Sequence, residues 1–169
     1  GDTSLFGNSF FRRTGPGAFE EVSDRIGAET YWPWGISVGD LNADGYQDVF
    51  VTSSMNFPWR YHPNHVLLND GGSRFVLSEF VLGVEPRRDG RTAVPWHQLD
   101  ADGRDSDHEF CEGRSGTFTM YGALGSRSSV ILDLDGDGDL DIVTNDFNSE
   151  PLVLISDLAE RTTVRQVRV

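Results

Sequence analysis

Short runs of apolar and β-branched residues alternate with stretches rich in Gly, Asp and Asn along most of the chain. The clearest runs lie at residues 49–52, 129–132, 142–144 and 152–155. Runs of this length and composition, bounded by turn residues, favour strands over helices. The pattern therefore predicts an all-β fold built from short strands.

A hairpin pattern occurs twice, with an offset of 56 residues. Residues 10–19 and 66–75 each contain an apolar run, a Gly-containing turn and a second run that begins at Phe19 or Phe75. The alignment continues without a gap to residues 29 and 85. Two equivalent β-hairpins are predicted.

Acidic loops interrupt the strand pattern at two places where oxygen-bearing side chains stand at alternate positions. Such side chains in a tightly curled loop converge on one point, and Gly45 or Gly138 at the sixth position permits the left-handed turn. Calcium takes six to eight oxygen ligands, so the pattern predicts two Ca²⁺ sites. Loop 1 offers Asp40, Asn42, Asp44, the carbonyl of Tyr46 and Asp48, and loop 2 offers Asp133, Asp135, Asp137, the carbonyl of Asp139 and Asp141.

Two other interpretations of the loops are weaker. An EF-hand needs helices on both sides and a Glu at the twelfth position, where this chain has Val51 and Thr144. A plain acidic turn would leave the five carboxylates of loop 2, within nine residues, repelling one another with no basic residue in the loop. Magnesium fits less well because it prefers water-rich octahedral sites.

A third acidic stretch repeats the Leu-x-Ala-Asp-Gly pattern of loop 1 at residues 99–103. It departs from the motif, with Gln98 at the first position and Ser106 at the ninth. A weaker metal site in another register stays open, formed by Asp100, Asp102, Asp105 and Asp107.

Charge and composition restrict the partners. The formal net charge of -13 makes nucleic acid and anionic membranes poor partners and cations good ones. The single cysteine, Cys111, excludes an intrachain disulfide framework. No stretch approaches the roughly 18 apolar residues of a membrane span. The chain starts at Gly1, which indicates a processed product, an excised fragment or a partial model.

The order of these elements predicts a β-propeller. Strand, acidic loop, strand, variable loop, strand, Gly turn and strand make a four-stranded blade of roughly 45–60 residues. The predicted segment, 1–169, contains a half blade at 5–29, a blade at 30–85, a degenerate blade or insertion at 86–127, and a blade at 128–169. About three blades cannot close a ring, since closure needs at least four. Either the natural polypeptide is longer, or another chain completes the blades.

The loops with their flanking strands, residues 38–51 and 132–143, resemble FG-GAP/VCBS repeats, which build integrin-α-like β-propellers. The hairpins with Phe19 and Phe75 are similar to those of CRTAC/ASPIC–UnbV-type secreted proteins. The resemblance implies an extracellular or periplasmic, calcium-stabilised propeller for adhesion or protein contact. We expect the segment to be a scaffold or interaction module without enzymatic activity.

An alternative function starts from aromatic and histidine residues. The chain shows no nucleophile elbow, phosphate-binding Gly loop or defensible catalytic pair. His97 and His108 flank the middle acidic stretch and leave a transition-metal site open, and the alternating residues 163–169 suggest one more strand. The alternative is a non-catalytic or carbohydrate-binding part of a polysaccharide-active propeller enzyme, with a surface formed by Tyr31, Trp32, Trp34, Phe57, Trp59 and Tyr61.

Overall fold

A computed structural model describes residues 7–54 and 61–165, and the structural statements below concern these two ranges. Within them the fold is predominantly β, as predicted. The strands are β1 (Phe11–Gly15), β2 (Ala18–Glu21), β3 (Gly35–Gly39), β4 (Asp48–Thr52), β5 (His65–Asp70), β6 (Arg74–Leu77), β7 (Ala93–Asp100), β8 (Thr117–Ala123), β9 (Gly125–Leu132), β10 (Asp141–Phe147) and β11 (Val153–Leu154). The helices are the single turns α1 (Ser23–Ile26) and α2 (Leu158–Arg161), and short 3-10 turns lie at Arg88–Gly90 and Glu109–Cys111.

The strands form antiparallel sheets connected in chain order. One sheet has the order β3-β4-β5-β6, and a second has the order β11-β10-β9. The pairs β1-β2 and β7-β8 are two-stranded hairpins. This arrangement is consistent with propeller blades, and it confirms the two hairpins predicted from the repeat, β1-β2 and β5-β6.

The two larger sheets pack directly on each other through β3 and β9. Ser37 Oγ donates to the Ser129 carbonyl at 2.8 Å. A Cβ on Gly35 would lie 2.7 Å from the Arg127 carbonyl oxygen, and one on Gly39 would lie 2.8 Å from the Ile131 side chain. Residue numbers rise together along both strands, so β3 and β9 run in the same direction. Both predicted calcium loops follow the ends of these strands and therefore share one edge of the molecule.

The main core lies between these sheets. Phe50, Val66 and Ile142 are buried at its centre, and both sheets add partly buried apolar side chains around them. β4 is buried along most of its length, with Phe50 and Val51 both at 0% exposure, and β10 begins with the buried pair Asp141 and Ile142. Short continuous apolar runs of this kind made both strands recognisable in the sequence. The core holds the loop-bearing ends of the two sheets in a fixed relation.

Residues 86–127 separate these two sheets along the chain. They form the β7-β8 hairpin, whose own small cluster contains Leu99, Ala101, Cys111 and Met120. The following sheet begins at Gly125, three residues before the predicted boundary, because Gly125 and Ser126 pair with the end of β10 across a bulge. That sheet has three strands among the described residues. Residues 163–165 form no strand, and residues 166–169 of the predicted tail strand lie outside the described ranges.

Candidate metal centre

Loop 1 connects β3 to β4 and curls around the side chain of Asp40. The Asp40 carboxylate accepts hydrogen bonds from the amides of Asp44 at 3.0 Å and Gly45 at 2.9 Å. Gly45 has φ +91°, a conformation that a residue without Cβ adopts at little cost. The predicted left-handed turn at the sixth position is therefore present.

The next two oxygen-bearing residues are oriented in the same way. Asn42 Oδ1 accepts from the Asp44 amide at 3.1 Å, and Asp44 Oδ1 accepts from the Tyr46 amide at 2.8 Å. Asn42 Nδ2 also donates to Asp44 Oδ2 at 3.0 Å. These bonds turn the polar side chains into the loop, whereas the Tyr46 ring is exposed.

Asp48, the ninth residue of loop 1, is also the first residue of β4. It is fully buried, and its two oxygens accept from the amides of Leu41 and of Asn69 in β5, both at 2.8 Å. Burial raises the pKa of the Asp48 carboxyl, the two amides counteract this rise, and the charges of Asp44 and Asp40 add to it. A positive charge at the loop would favour the ionised form of this buried group.

Loop 2 repeats this geometry between β9 and β10. Asp133 Oδ1 accepts from the Gly136 amide at 2.8 Å, and Asp135 Oδ1 accepts from the Asp137 amide at 3.3 Å. Asp137 Oδ1 accepts from the Asp139 amide at 3.0 Å. That amide lowers the pKa of the Asp137 carboxyl, but desolvation and the neighbouring aspartates outweigh it, so the net shift is upward.

Asp141 occupies the same place in loop 2 as Asp48 in loop 1. Its oxygens accept from the amides of Leu134 and Ser156, both at 2.8 Å. A carboxylate oxygen has two lone pairs, so one accepted bond leaves an electron pair for a cation. Asp133, Asp135 and Asp141 each offer an oxygen, and these three atoms lie within 4.8 Å of one another.

The sequence pattern predicted the backbone carbonyl of Asp139 as a ligand and gave no role to its side chain. Asp139 is 2% exposed, and its Oδ2 accepts from the Ala159 amide at 2.8 Å. Its Oδ1 is buried without a partner among the described residues. Burial of an unsatisfied carboxylate oxygen is costly unless a positive charge compensates it. Loop 2 therefore fits a hard, oxygen-binding cation such as Ca²⁺.

The two loops differ in their ligand sets. Within the described ranges, the carboxylates of loop 1 form no trio as close as that of loop 2. Loop 1 has the neutral Asn42 where loop 2 has Asp135. Its ligand set carries less negative charge, so loop 2 is the stronger candidate.

The middle acidic stretch follows β7 and bonds mainly to its own backbone. Asp105 Oδ2 accepts from the Asp100 amide at 2.8 Å and from Arg104 at 3.1 Å. Asp102 Oδ2 accepts from the Gly116 amide at 2.8 Å, and Asp107 is exposed. These acids are not among the close carboxylate groups found in the described ranges. The third metal site stays a prediction.

The opposite edge of the sheets carries aromatic residues. The Arg127 guanidinium lies over the rings of Trp34 at 4.0 Å and Phe147 at 3.8 Å. Trp34 Nε1 donates to the Ser54 carbonyl at 2.6 Å, so this ring is held in place. Sequence reasoning found Trp34 but missed Arg127, because no local signal relates residues so far apart in the chain. Phe57 and Trp59 lie outside the described residues.

The remaining predicted polar residues have other contacts. Tyr61 donates to Glu85 at 2.6 Å, inside a buried network that includes the Arg87–Asp146 ion pair. His97 packs on Trp96, and His108 packs on Phe110. The two histidines take part in no three-ligand cluster within the described part of the chain.

Comparison with protein families agrees with this geometry. Residues 6–51 match the model of an FG-GAP-like repeat, and residues 32–72 match that of an FG-GAP repeat. Residues 6–72 are therefore similar to FG-GAP repeats. Loop 1 lies inside both matches, and the FG-GAP level of the predicted resemblance is thereby confirmed. Comparison with curated proteins gives no match. Neither helix in the described ranges has the length or apolar character that a membrane span requires.

Proposed function

We propose that this chain is a calcium-binding FG-GAP-type β-propeller segment of an exported protein, without enzymatic activity. It serves as a structural scaffold and a module for protein contact. The main support is the trio Asp133, Asp135 and Asp141, whose oxygens lie within 4.8 Å of one another in a loop between paired strands. The similarity of residues 6–72 to FG-GAP repeats supports a blade architecture.

Calcium would act on stability in this proposal. A bound Ca²⁺ supplies positive charge that offsets the mutual repulsion of the loop carboxylates. Asp48 and Asp141 connect each loop to a neighbouring segment, through the amides of Asn69 and Ser156. Calcium binding is thereby coupled to the packing of the sheet below each loop.

Isothermal titration calorimetry with calcium, and with magnesium as the control, tests the proposal. We expect two calcium sites, of which Asp135→Asn weakens one. Asp89→Asn is the matched control, since Asp89 lies in a 3-10 turn outside the loops and already has φ +63°. Absence of calcium binding, or equal effects of both substitutions, would count against the proposal.

A second function has one supporting observation. Trp34 is 53% exposed, yet its indole N–H is tied to Ser54 and one face is covered by Arg127. A fixed, exposed aromatic ring is suited to stacking on a sugar, as in a carbohydrate-binding part of a polysaccharide-active enzyme. Binding to immobilised acidic polysaccharides that Trp34→Ala removes and Trp96→Ala preserves would favour it. If the immobilised polysaccharides do not retain the wild-type protein, carbohydrate binding is excluded and the scaffold function remains.

A further inference from the structure

The half blade at the start of the described chain packs on β6 through a small apolar cluster. Val22, Ile26 and Ala28 are at most 5% exposed, and the Phe75 side chain of β6 packs against them. The Phe10 ring contributes as well, with its centroid 5.8 Å from that of Phe75. The cluster is closed because the last strand of the following sheet supplies an aromatic side chain.

The same structure recurs 56 residues later. The Val22 amide donates to the Phe10 carbonyl at 2.9 Å, and the Ser78 amide donates to the Val66 carbonyl at 2.8 Å. The turn that follows is also repeated. The amide of Ala28 donates to a carbonyl five residues earlier at 2.9 Å, as does the amide of Val84 at the same distance.

This second copy is exposed where the first is buried. Leu82 corresponds to Ile26, yet Leu82 is 50% exposed and Ile26 only 5%. Gly27 and Gly83 have almost equal φ values of +70° and +73°. A Cβ on Gly27 would lie 2.8 Å from the Phe75 carbonyl oxygen, whereas nothing lies within 4 Å of one on Gly83. Among the described residues, nothing beside Leu82 and Gly83 takes the place that the side chain and backbone of Phe75 take beside Ile26 and Gly27.

The chain after β11 explains the difference. Ser156 corresponds to Asn69, because each donates its amide to the ninth aspartate of its loop at 2.8 Å. After Asn69, Gly71 and Gly72 adopt positive φ and turn the chain back into β6. The corresponding residues after Ser156 are 158 and 159, which belong to α2. Counting on by the same spacing gives Thr162 in the place of Phe75.

An apolar groove of about 430 Å³ remains between the two sheets, and β11 forms the edge of its sheet within the described chain. An edge strand next to an apolar groove is suited to β-strand addition. Its apolar lining comes from strand residues of both sheets, from the segment that follows β6 and from α2: Val66, Ile142, Leu154, Leu82, Val84 and Leu158. The ion pair of Asp157 and Arg161 also lies at the groove.

We propose that this groove binds an extended segment of a separate polypeptide chain. The segment pairs antiparallel with the edge of β11, as β6 pairs with β5. It places an aromatic side chain between Leu82 and Val84, where Phe75 lies in the first cluster. The net charge of -13 favours a segment with basic residues beside the aromatic one. The proposal rests on the blade arrangement of the proposed function and makes no use of bound calcium.

A peptide copying residues 73–79 of this chain is the probe, since it carries Phe75 and one basic residue. Fluorescence anisotropy of the labelled peptide with the full chain should show saturable binding. A peptide with alanine in place of the phenylalanine should bind at least about tenfold more weakly. Absence of binding, or equal binding of the two peptides, would overturn the proposal.

Two surface variants locate the site. Leu82→Asp should abolish peptide binding, whereas Phe80→Asp, at a 60% exposed residue that does not line the groove, should preserve it. Thermal melting of both variants checks that they fold. If Leu82→Asp does not fold, Leu82→Glu takes its place in the binding experiment. If the chain self-associates and Leu82→Asp removes this self-association, the proposal of a separate partner is overturned and the groove binds a second copy of the chain. Peptide binding without any calcium binding would contradict only the proposed function.

Discussion

Asp48 and Asp141 connect each acidic loop to a strand or turn that is distant in the sequence. The amide of Asn69 lies 21 residues from Asp48, and that of Ser156 lies 15 residues from Asp141. Local spacing was enough to predict that these carboxylates face the loops. It could not show the second hydrogen bond, because strand pairing creates that contact only in the folded chain.

Substitution of Asp141 by Asn separates the structural and metal-binding roles. An amide has one oxygen acceptor, so the amide of either Leu134 or Ser156 loses its partner. We expect Asp141→Asn to lower the free energy of unfolding in chelator by about 1–3 kcal/mol. Urea denaturation with calcium should then show much less of the additional stability that calcium gives the wild type.

The control for this variant is Asp89→Asn, outside both loops. It should change the free energy of unfolding by no more than about 0.5 kcal/mol, with or without calcium. An Asp141→Asn protein as stable as the wild type in both conditions would show that neither the amide contacts nor a cation depends on this carboxylate.

His62 gives the chain a pH dependence separate from the loops. Burial lowers the pKa of its imidazole below the ordinary value of 6.5, and the charge of His65 adds to this shift. Below pH 6.5 the unfolded chain takes up a proton that the folded chain does not. The free energy of unfolding therefore decreases as the pH is lowered. One proton accounts for at most about 1.4 kcal/mol per pH unit.

Denaturation at pH 7.5, 6.5 and 5.5 in chelator measures this effect. The loss of stability on acidification should be smaller in His62→Gln than in the wild type. His97→Gln, at an exposed histidine on β7, should behave like the wild type. Parallel pH curves for all three proteins would contradict this account of His62.

At the scale of single elements, the contact between β3 and β9 depends on glycine. Gly35 leaves room for the Arg127 carbonyl, which would lie 2.7 Å from a Cβ at this position. The sequence predicted both strands as strands but not their contact. Glycine within a strand is consistent with close approach of another backbone, yet it does not identify which backbone approaches.

Gly35→Ala should push β3 and β9 apart. We expect a loss of about 1–3 kcal/mol in the free energy of unfolding, as for other overpacked sites. Gly15→Ala is the matched control in β1, because a Cβ there would lie 3.9 Å from Ala18 Cβ and would meet no backbone. Equal melting temperatures of the two variants would contradict direct packing of β3 on β9.

The hairpin repeat supplies a second matched pair. Phe75 closes the cluster around Ile26, whereas Phe19, at the same place in the first hairpin, is 63% exposed. Phe75→Ala should destabilise the protein by about 2–3 kcal/mol, somewhat less than for a fully buried Phe. Phe19→Ala should stay within about 0.5 kcal/mol of the wild type in the same urea experiment.

On the scale of the whole molecule, the sequence predicted the fold class, the hairpin repeat and the positions of the acidic loops. Each of these depends on residues close together in the chain. It did not resolve residues 86–127, where the β7-β8 hairpin has its own small cluster. It also missed the open groove, since exposure of Leu82 becomes apparent only by comparison with its buried equivalent, Ile26.

The acidic charge of the whole chain links the loops to overall stability. With 27 acidic and 14 basic residues, the folded chain repels itself when no cation is bound. The strongest concentration of this charge is in loop 2, where the side chain of Asp139 is also buried. Calcium should therefore stabilise the whole fold, and not only the loops that bind it.

Thermal melting in chelator, in calcium and in magnesium tests the central claim most directly. At a calcium concentration about 100-fold above the dissociation constant, one site adds about 2.7 kcal/mol. For a chain of this length the melting temperature should rise by roughly 5–10 °C. Magnesium should give a much smaller rise, and Asp135→Asn should reduce the calcium effect. An equal melting temperature in calcium and in chelator would contradict the account and leave both loops as acidic turns.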